Sequence, residues 1–381
     1  MRSVVVSFFD SLNLGDLLIS QCISEFAAKY GEVDRLSISG DPFAGASLDN
    51  LPEFVAGRVT ASGFRARAVS TTLGGMLWRM REGFSARHER VLSKLSGSDL
   101  VILGGGNMMF DVESWTRSSA RADYFLGAAR SAGVPSVGMS LGIGPFATVR
   151  QHRNACRVLD KCDGLTFRDR ASLELYMEYG RKEASISVDP VLLLDRVVDR
   201  PRGVTGHVAW NLVEPSVTGL AAVREQVVAR HASAIRGALL DGWVVDVFST
   251  DRADEGVLRE LVDLVGSPSC SFVPINGFAA LLELYGRVDV VISSRMHALI
   301  VAFTQGLPIL GLVWQEKVVG LFERLGRPEQ VFQMQDLDGL EAGLAEVRRR
   351  PAEFAMNGDD RALIREMNSE NERLIERFAL P

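Results

Sequence analysis

The chain has 381 residues, 47% of them hydrophobic and 24% charged, a composition that excludes a disordered protein and describes a folded globular one. Its length exceeds what one hydrophobic core sustains, so two domains are expected. A net charge of -6 excludes broad nucleic-acid binding, which needs many basic contacts to phosphates.

Residues 4–9 read as a first strand, followed by the loop Asp10-Ser11-Leu12-Asn13-Leu14-Gly15-Asp16 and an amphipathic helix to about Tyr30. The same pattern returns at 100–103, ahead of Gly104-Gly105-Gly106-Asn107, and at 136–140, ahead of Leu141-Gly142-Ile143-Gly144-Pro145. A strand at 164–167 and a helix at 171–179 follow. Strands alternating with helices predict a doubly wound parallel sheet.

The stretch 195–206, interrupted at Pro201, is where the chain changes domain. The expected division is a first domain 1–195, a second domain 196–360, and a helix 361–381 crossing back onto the first. The second alternation has strands at 207–212, 243–249, 271–274, 288–292 and 308–313, with helices at 223–240, 257–265 and 278–287. Segment 337–378 is helical by composition, broken at Pro351 and near Gly358. The predicted fold class is α/β, with two Rossmann-like domains facing across a cleft and parallel sheets in both.

The strand at 288–292 stops at Ser293-Ser294-Arg295-Met296-His297, and an apolar helical run begins at once. In open α/β sheets ligands bind at the carboxyl ends of strands, where the next helix offers free N–H groups to an anion. Arg295 adds a permanent planar charge there, and His297 a proton carrier near neutral pH.

The four cysteines form no Cys-x-x-Cys pair and the five histidines no His-Glu-x-x-His, so neither a metal nor a disulfide framework is expected. The apolar start is too short for a signal peptide and ends at Asp10, and no apolar run reaches membrane-spanning length. A cytoplasmic protein is expected.

Taken in order, these motifs resemble the polysaccharide pyruvyl transferase family, whose members have a fold like the two-domain GT-B glycosyltransferases. The resemblance rests on Asn13-Leu14-Gly15-Asp16, Gly104-Gly105-Gly106-Asn107, Gly142-Ile143-Gly144-Pro145, Phe167-Arg168-Asp169 with Ser172, Val188-Asp189-Pro190 and Ser294-Arg295-Met296-His297, with Gly306-Leu307-Pro308 and Lys317 after the last. It implies transfer of the enolpyruvyl carbons of phosphoenolpyruvate onto two hydroxyls of a sugar in a cell-surface polysaccharide or its lipid-linked precursor, giving a pyruvate ketal. No cofactor or metal is implied, since phosphoenolpyruvate is a co-substrate. The second domain, with Arg295, His297 and Lys317, is implied to hold phosphoenolpyruvate; the first, contributing Arg168, is implied to face the glycan acceptor. His297 and Asp16 are the implied acid and base, in unassigned order, and Asn13, Gly15, Gly104, Gly105, Gly106 and Asn107 the implied cleft loops.

Plainer readings stand beside these. The glycine triplet suits a tight turn, Asp16 a helix cap, Asp169 a partner for Arg168, Asp189 a turn, and Lys317 a helical surface charge. Residues 76–87 interleave arginines with Met76, Trp78, Met80 and Phe84, a pattern that fits a packed helix or peripheral contact with the inner face of a membrane. Two other functions remain open on the same fold: a GT-B nucleotide-sugar glycosyltransferase and a catalytically silent glycan-binding relative. A pair of glutamates spaced as retaining enzymes of that fold hold their nucleotide sugar is missing from the second half. Oligomeric state is not legible.

Overall fold

The computed structural model describes residues 1–39, 41–49, 86–194 and 205–379. The stretch 76–85 and most of the predicted domain boundary, 195–204, lie outside the described residues.

In the first half, the chain runs through β1 (Arg2–Ser7), α1 (Leu14–Ala28), β2 (Glu32–Ser37), α2 (Ala86–Ser96), β3 (Leu100–Asp111) and α3 (Ser119–Ser131). It continues through β4 (Ser136–Phe146), α4 (Val149–Leu159), β5 (Gly164–Phe167), α5 (Arg170–Tyr179) and β6 (Ser185–Ile186). All pairings are parallel, in the order β2-β1-β3-β4-β5-β6. The order reverses between β1 and β3, and a crevice opens at the carboxyl ends of the strands beside such a switch.

The second half holds β7 (His207–Asn211), α6 (Arg224–Leu240), β8 (Val244–Phe248), α7 (Glu255–Val265), β9 (Cys270–Val273), α8 (Phe278–Arg287) and β10 (Val290–Ser293). Then come α9 (Met296–Thr304), β11 (Ile309–Val313), α10 (Glu316–Arg324) and β12 (Val331–Gln333). This sheet is also parallel, in the order β12-β11-β10-β7-β8-β9, with its switch between β7 and β10. The strands are continuous hydrophobic runs because helices cover both faces; β10 and β11 are buried at every residue.

The tail forms α11 (Leu340–Arg349), α12 (Pro351–Phe354) and α13 (Gly358–Ala379). Helix α13 packs on the first sheet: Thr166 donates to Asn371 Oδ1 at 2.7 Å and Asn371 Nδ2 donates to Ser140 at 2.9 Å. Ser140 is the one described non-glycine residue with positive φ, at 50°, at the point where β4 changes register against β5.

One hydrophobic core runs through both halves. Leu14, Leu17 and Leu18 of α1 join Ala298, Leu299 and Phe303 of α9, with Val191 and Leu192 of the 3-10 turn Pro190–Leu193 wedged against both helices. Backbone bonds add to this seam: Leu14 N–H donates to Thr250 O at 3.0 Å and Phe278 N–H to Leu48 O at 2.6 Å. The two sheets are thereby fixed relative to one another.

Several elements lie outside the predicted set. Strand β2 and helices α3 and α4 have no counterpart in it, although α4 carries a capping box of Thr148 and Gln151. Helix α3 hides because its buried hydrophobic residues, Ala120, Ala122, Tyr124, Phe125, Leu126, Ala128 and Ala129, are small or consecutive and give little helical periodicity. The predicted turn at Gly104-Gly105-Gly106 is not a turn, since β3 continues through it to Asp111.

Candidate functional site

Three strand-to-helix junctions supply the site. After β1, Asn13 caps α1 by accepting from Gly15 N–H at 2.8 Å, and its Nδ2 crosses to the second half, donating to Asp251 Oδ2 at 3.0 Å. After β5, Arg168 precedes α5, which is capped by Asp169 accepting from Ser172 N–H at 2.7 Å. After β10, Arg295 precedes α9, whose first turn carries His297. This last junction is knitted to β7: Ser293 donates to Asn211 Oδ1 at 2.9 Å and Ser294 accepts from Val213 N–H at 2.6 Å.

The junctions after β5 and β10 meet at Asp189. Its buried carboxylate accepts from Arg168 Nη1 at 2.8 Å and lies 3.4 Å from His297 Nε2, while Arg168 Nη1 is itself 3.4 Å from that nitrogen. Burial pushes the Asp189 carboxyl up, but the His297 charge and hydrogen bond, with Arg168 behind them, outweigh it and hold the group well below the usual carboxylate range. Asp189 was expected to be a turn or a minor ligand contact; it is the carboxylate on which an arginine of one domain and a histidine of the other converge.

Asp16 sits in the first turn of α1, so it is not the cap residue; Asn13 takes that place. Its Oδ2 accepts from Ser11 at 3.0 Å. Burial raises its carboxyl above the ordinary value, against the charge of His297 and the Ser11 bond. Lys317, in the first turn of α10, is lowered to about 8 by burial, with the charges of Arg168 and Arg295 acting in the same direction. Its ammonium lies 5.5 Å from the centre of the Trp314 ring. Lys317 is therefore not a solvated surface charge.

Arg295, expected as a donor clamp, is anchored within its own domain, with Nε and Nη2 donating to both oxygens of Asp254 at 2.7 and 2.8 Å and Nη2 lying 3.2 Å from Asp251 Oδ2. The Asp254 side chain is wholly buried, so the pair is a structural bidentate bridge beneath the site.

Gly104 and Gly105 are likewise placed away from the cleft. A Cβ on them would stand 2.7 Å from Ile23 Cδ1 and 2.0 Å from Ile19 Cγ2 respectively, so they let α1 lie close on β3. Gly106 faces the same helix and Phe8. Of this motif only Asn107 lines the cleft, its Nδ2 donating to Gly144 O at 2.9 Å.

That cleft has a volume of about 560 Å³ and draws on both domains: Asn107, Gly142–Pro145, Arg168, Asp169, Ala171 and Ser172 on one side, and Leu220, Val313–Lys317, Gln333 and Gln335 on the other. Arg168 and Lys317 stand at its floor, where a smaller cavity continues past Asp169 and Asp189 to Arg324. Arg324 donates to the carbonyls of Arg168 at 2.5 Å and Ser187 at 2.9 Å and holds that junction in place. Asp251, Asp254 and Arg324 carry no motif in sequence. Among the described residues there is no group of three or more His, Cys, Asp or Glu side chains arranged for a metal, and no helix long and apolar enough to cross a membrane.

Among solved structures, the chain is similar over 99% of its length to the whole of Anabaena HepE, crystallised in complex with UDP, at 10% identity and a TM-score of 0.56. A glycosyltransferase from Rickettsia africae gives 10% identity and a TM-score of 0.56 over 99% of this chain and 98% of its own. The UDP-GlcNAc 2-epimerase of Methanocaldococcus jannaschii gives 9% and 0.55 over 98% of this chain and all of its own. At such identities the likeness shows the fold alone, the two-domain GT-B arrangement. In sequence, the model of the polysaccharide pyruvyl transferase family matches residues 13–316. That match takes in Asn13, Asp16, Arg168, Asp189 and His297, stops one residue short of Lys317 and spans about four fifths of the sequence; this chain belongs to the polysaccharide pyruvyl transferase family.

Proposed function

We propose that this chain transfers the enolpyruvyl carbons of phosphoenolpyruvate onto two hydroxyls of one sugar in a cell-surface polysaccharide or its lipid-linked precursor, closing a pyruvate ketal. The observation that carries this reading is the meeting of Arg168 and Lys317, one from each domain, in the lining of one cleft, with His297 Nε2 3.4 Å from Arg168 Nη1. Phosphoenolpyruvate presents a carboxylate and a phosphate on three carbons. Each charge-assisted hydrogen bond to such a group contributes about 1.5 to 3 kcal/mol.

The reaction needs one proton delivered and two hydroxyl protons removed. A proton adds to the methylene carbon, the first sugar oxygen bonds to the central carbon, and the bond from that carbon to the phosphate oxygen breaks. The second sugar oxygen then bonds to the same carbon. One of the two hydroxyl protons replaces the one delivered, and the other leaves on inorganic phosphate. Asp16, whose carboxyl is raised above the ordinary value by burial, suits the acid. His297 suits the base, because the ionised Asp189 beside it stabilises the imidazolium that forms. Lys317 and Arg168 hold the dianion. No metal and no organic cofactor enters this scheme.

Incubating the purified protein with phosphoenolpyruvate and galactosyl, mannosyl or N-acetylhexosaminyl acceptors tests the reading. Phosphate release that depends on an acceptor, with an acid-labile pyruvate on the product, is the expected result. Turnover of a nucleotide sugar alone would replace this function with glycosyl transfer. Glycan binding without turnover of any donor would leave a silent relative.

A further inference from the structure

The charges of the cleft are not spread evenly along its walls. Arg168, Asp169, Glu316 and Lys317 stand together, and the rest of the lining is neutral: the amides of Asn107, Gln315, Gln333 and Gln335, the indole of Trp314 and apolar side chains such as Leu175 and Leu220. Two details give this neutral part the character of a built surface. The Trp314 ring is pinned, with Nε1 donating to Ser294 O at 2.8 Å, so it offers a fixed plane at the carboxyl end of β11. Asn107 Oδ1 is a buried acceptor with no partner among the described residues, although the same amide is held by its bond to Gly144. A buried acceptor left unpaired costs about 1 to 3 kcal/mol, which a ligand hydroxyl would recover.

We infer that this neutral stretch is a subsite for uncharged pyranose units, seated with a C–H face on Trp314 and with hydroxyls on Asn107, Gln315, Gln333 and Gln335. The inference deepens the proposed function and rests on it for the direction of the sugar, whose reacting hydroxyls point toward Lys317. A ring with an apolar face and a hydroxyl rim matches an aromatic plane flanked by amides. A nucleoside diphosphate matches it poorly, because cations are grouped at the floor and absent from the other described residues lining the cleft. The subsite draws on both domains, with Asn107 from one wall and Trp314 from the other, so the acceptor is not held by the first domain alone.

Calorimetric titration with uncharged oligosaccharides of galactose, mannose or N-acetylglucosamine, without phosphoenolpyruvate, reads the subsite directly. Binding of at least one by the wild type is expected, weakened about tenfold by Trp314→Ala and largely kept by Trp314→Phe. The double variant Gln333→Ala/Gln335→Ala alters exposed residues and should fold; it should weaken the same glycan roughly threefold. No binding of any uncharged glycan at concentrations on the order of 10 mM overturns the inference, as does unchanged affinity in these variants or displacement of the glycan by UDP. Turnover separates the two readings. Normal ketal formation with an unmoved glycan KM in both variants removes the subsite alone, whereas Trp314-dependent glycan binding without phosphoenolpyruvate turnover removes the reaction and leaves the subsite.

Discussion

Gly15 of one domain and His297 of the other are in contact: a Cβ on Gly15 would stand 2.3 Å from His297 Nδ1 and 2.7 Å from Cγ. The absence of a side chain at position 15 is what allows the imidazole to reach Asp189 and Arg168. A glycine in the first turn of α1 thus sets the place of a ring on α9.

Gly15→Ala should therefore act on catalysis rather than on folding. In a helix the change by itself stabilises by about 0.5 to 1 kcal/mol. Here the new methyl displaces His297, so kcat should fall to near that of His297→Ala. Steady-state rates and urea titrations of both variants check this; a fully active Gly15→Ala protein would refute the contact.

Lys317 gives a pH dependence of defined sign. Its folded pKa is lowered to about 8, so the ammonium that binds an anion is present below that pH and lost above it. The kcat/KM for phosphoenolpyruvate should fall about tenfold per pH unit on the alkaline side. Lys317→Met should be weaker throughout and lose this alkaline limb. Persistence of the limb in the variant would place the titrating group elsewhere.

Arg295 should show a stability effect that the donor-clamp reading does not predict. Removing it leaves the buried Asp254 carboxylate unpaired, and breaking such a pair costs about 3 to 5 kcal/mol. Asp254 is already raised, chiefly by burial with Arg295 opposing, so without the arginine it should take up a proton more readily in the folded state. A carboxyl raised on folding stabilises at low pH and ceases to do so as pH rises. The Arg295→Ala deficit should thus shrink as pH falls toward the ordinary carboxylate range, and Asp254→Asn in the same chain should recover part of it. Guanidinium denaturation across pH checks both.

Gly105→Ala tests the packing role of the glycine triplet. The residue has φ of +66°, and its Cβ would overlap Ile19 Cγ2 at 2.0 Å. Left-handed strain and overpacking together should cost about 3 kcal/mol. Thermal melting reads the loss, and trimming Ile19 to alanine in the same chain should relieve only the overlap with Ile19, leaving that with Ile23 Cδ1 at 2.6 Å and the left-handed strain.

Much of this protein was legible in its residues. Continuous apolar runs ending in loops announced parallel strands covered on both faces, and the junctions at Asn13, Arg168 and Arg295 announced the strand-to-helix handovers from which the candidate site is built. The order of those motifs carried the family. Local sequence fixes these because hydrophobic periodicity and strand-to-helix handovers are properties of neighbouring residues. Partners distant along the chain are another matter. That Asp189 joins His297 to Arg168, that Arg295 is bridged to Asp254, that Gly105 serves Ile19 and that Lys317 feels the charges of two arginines all depend on how two sheets dock through α1 and α9. Charge pairing and close approach are set by distance in space, and only the docked tertiary structure fixes those distances.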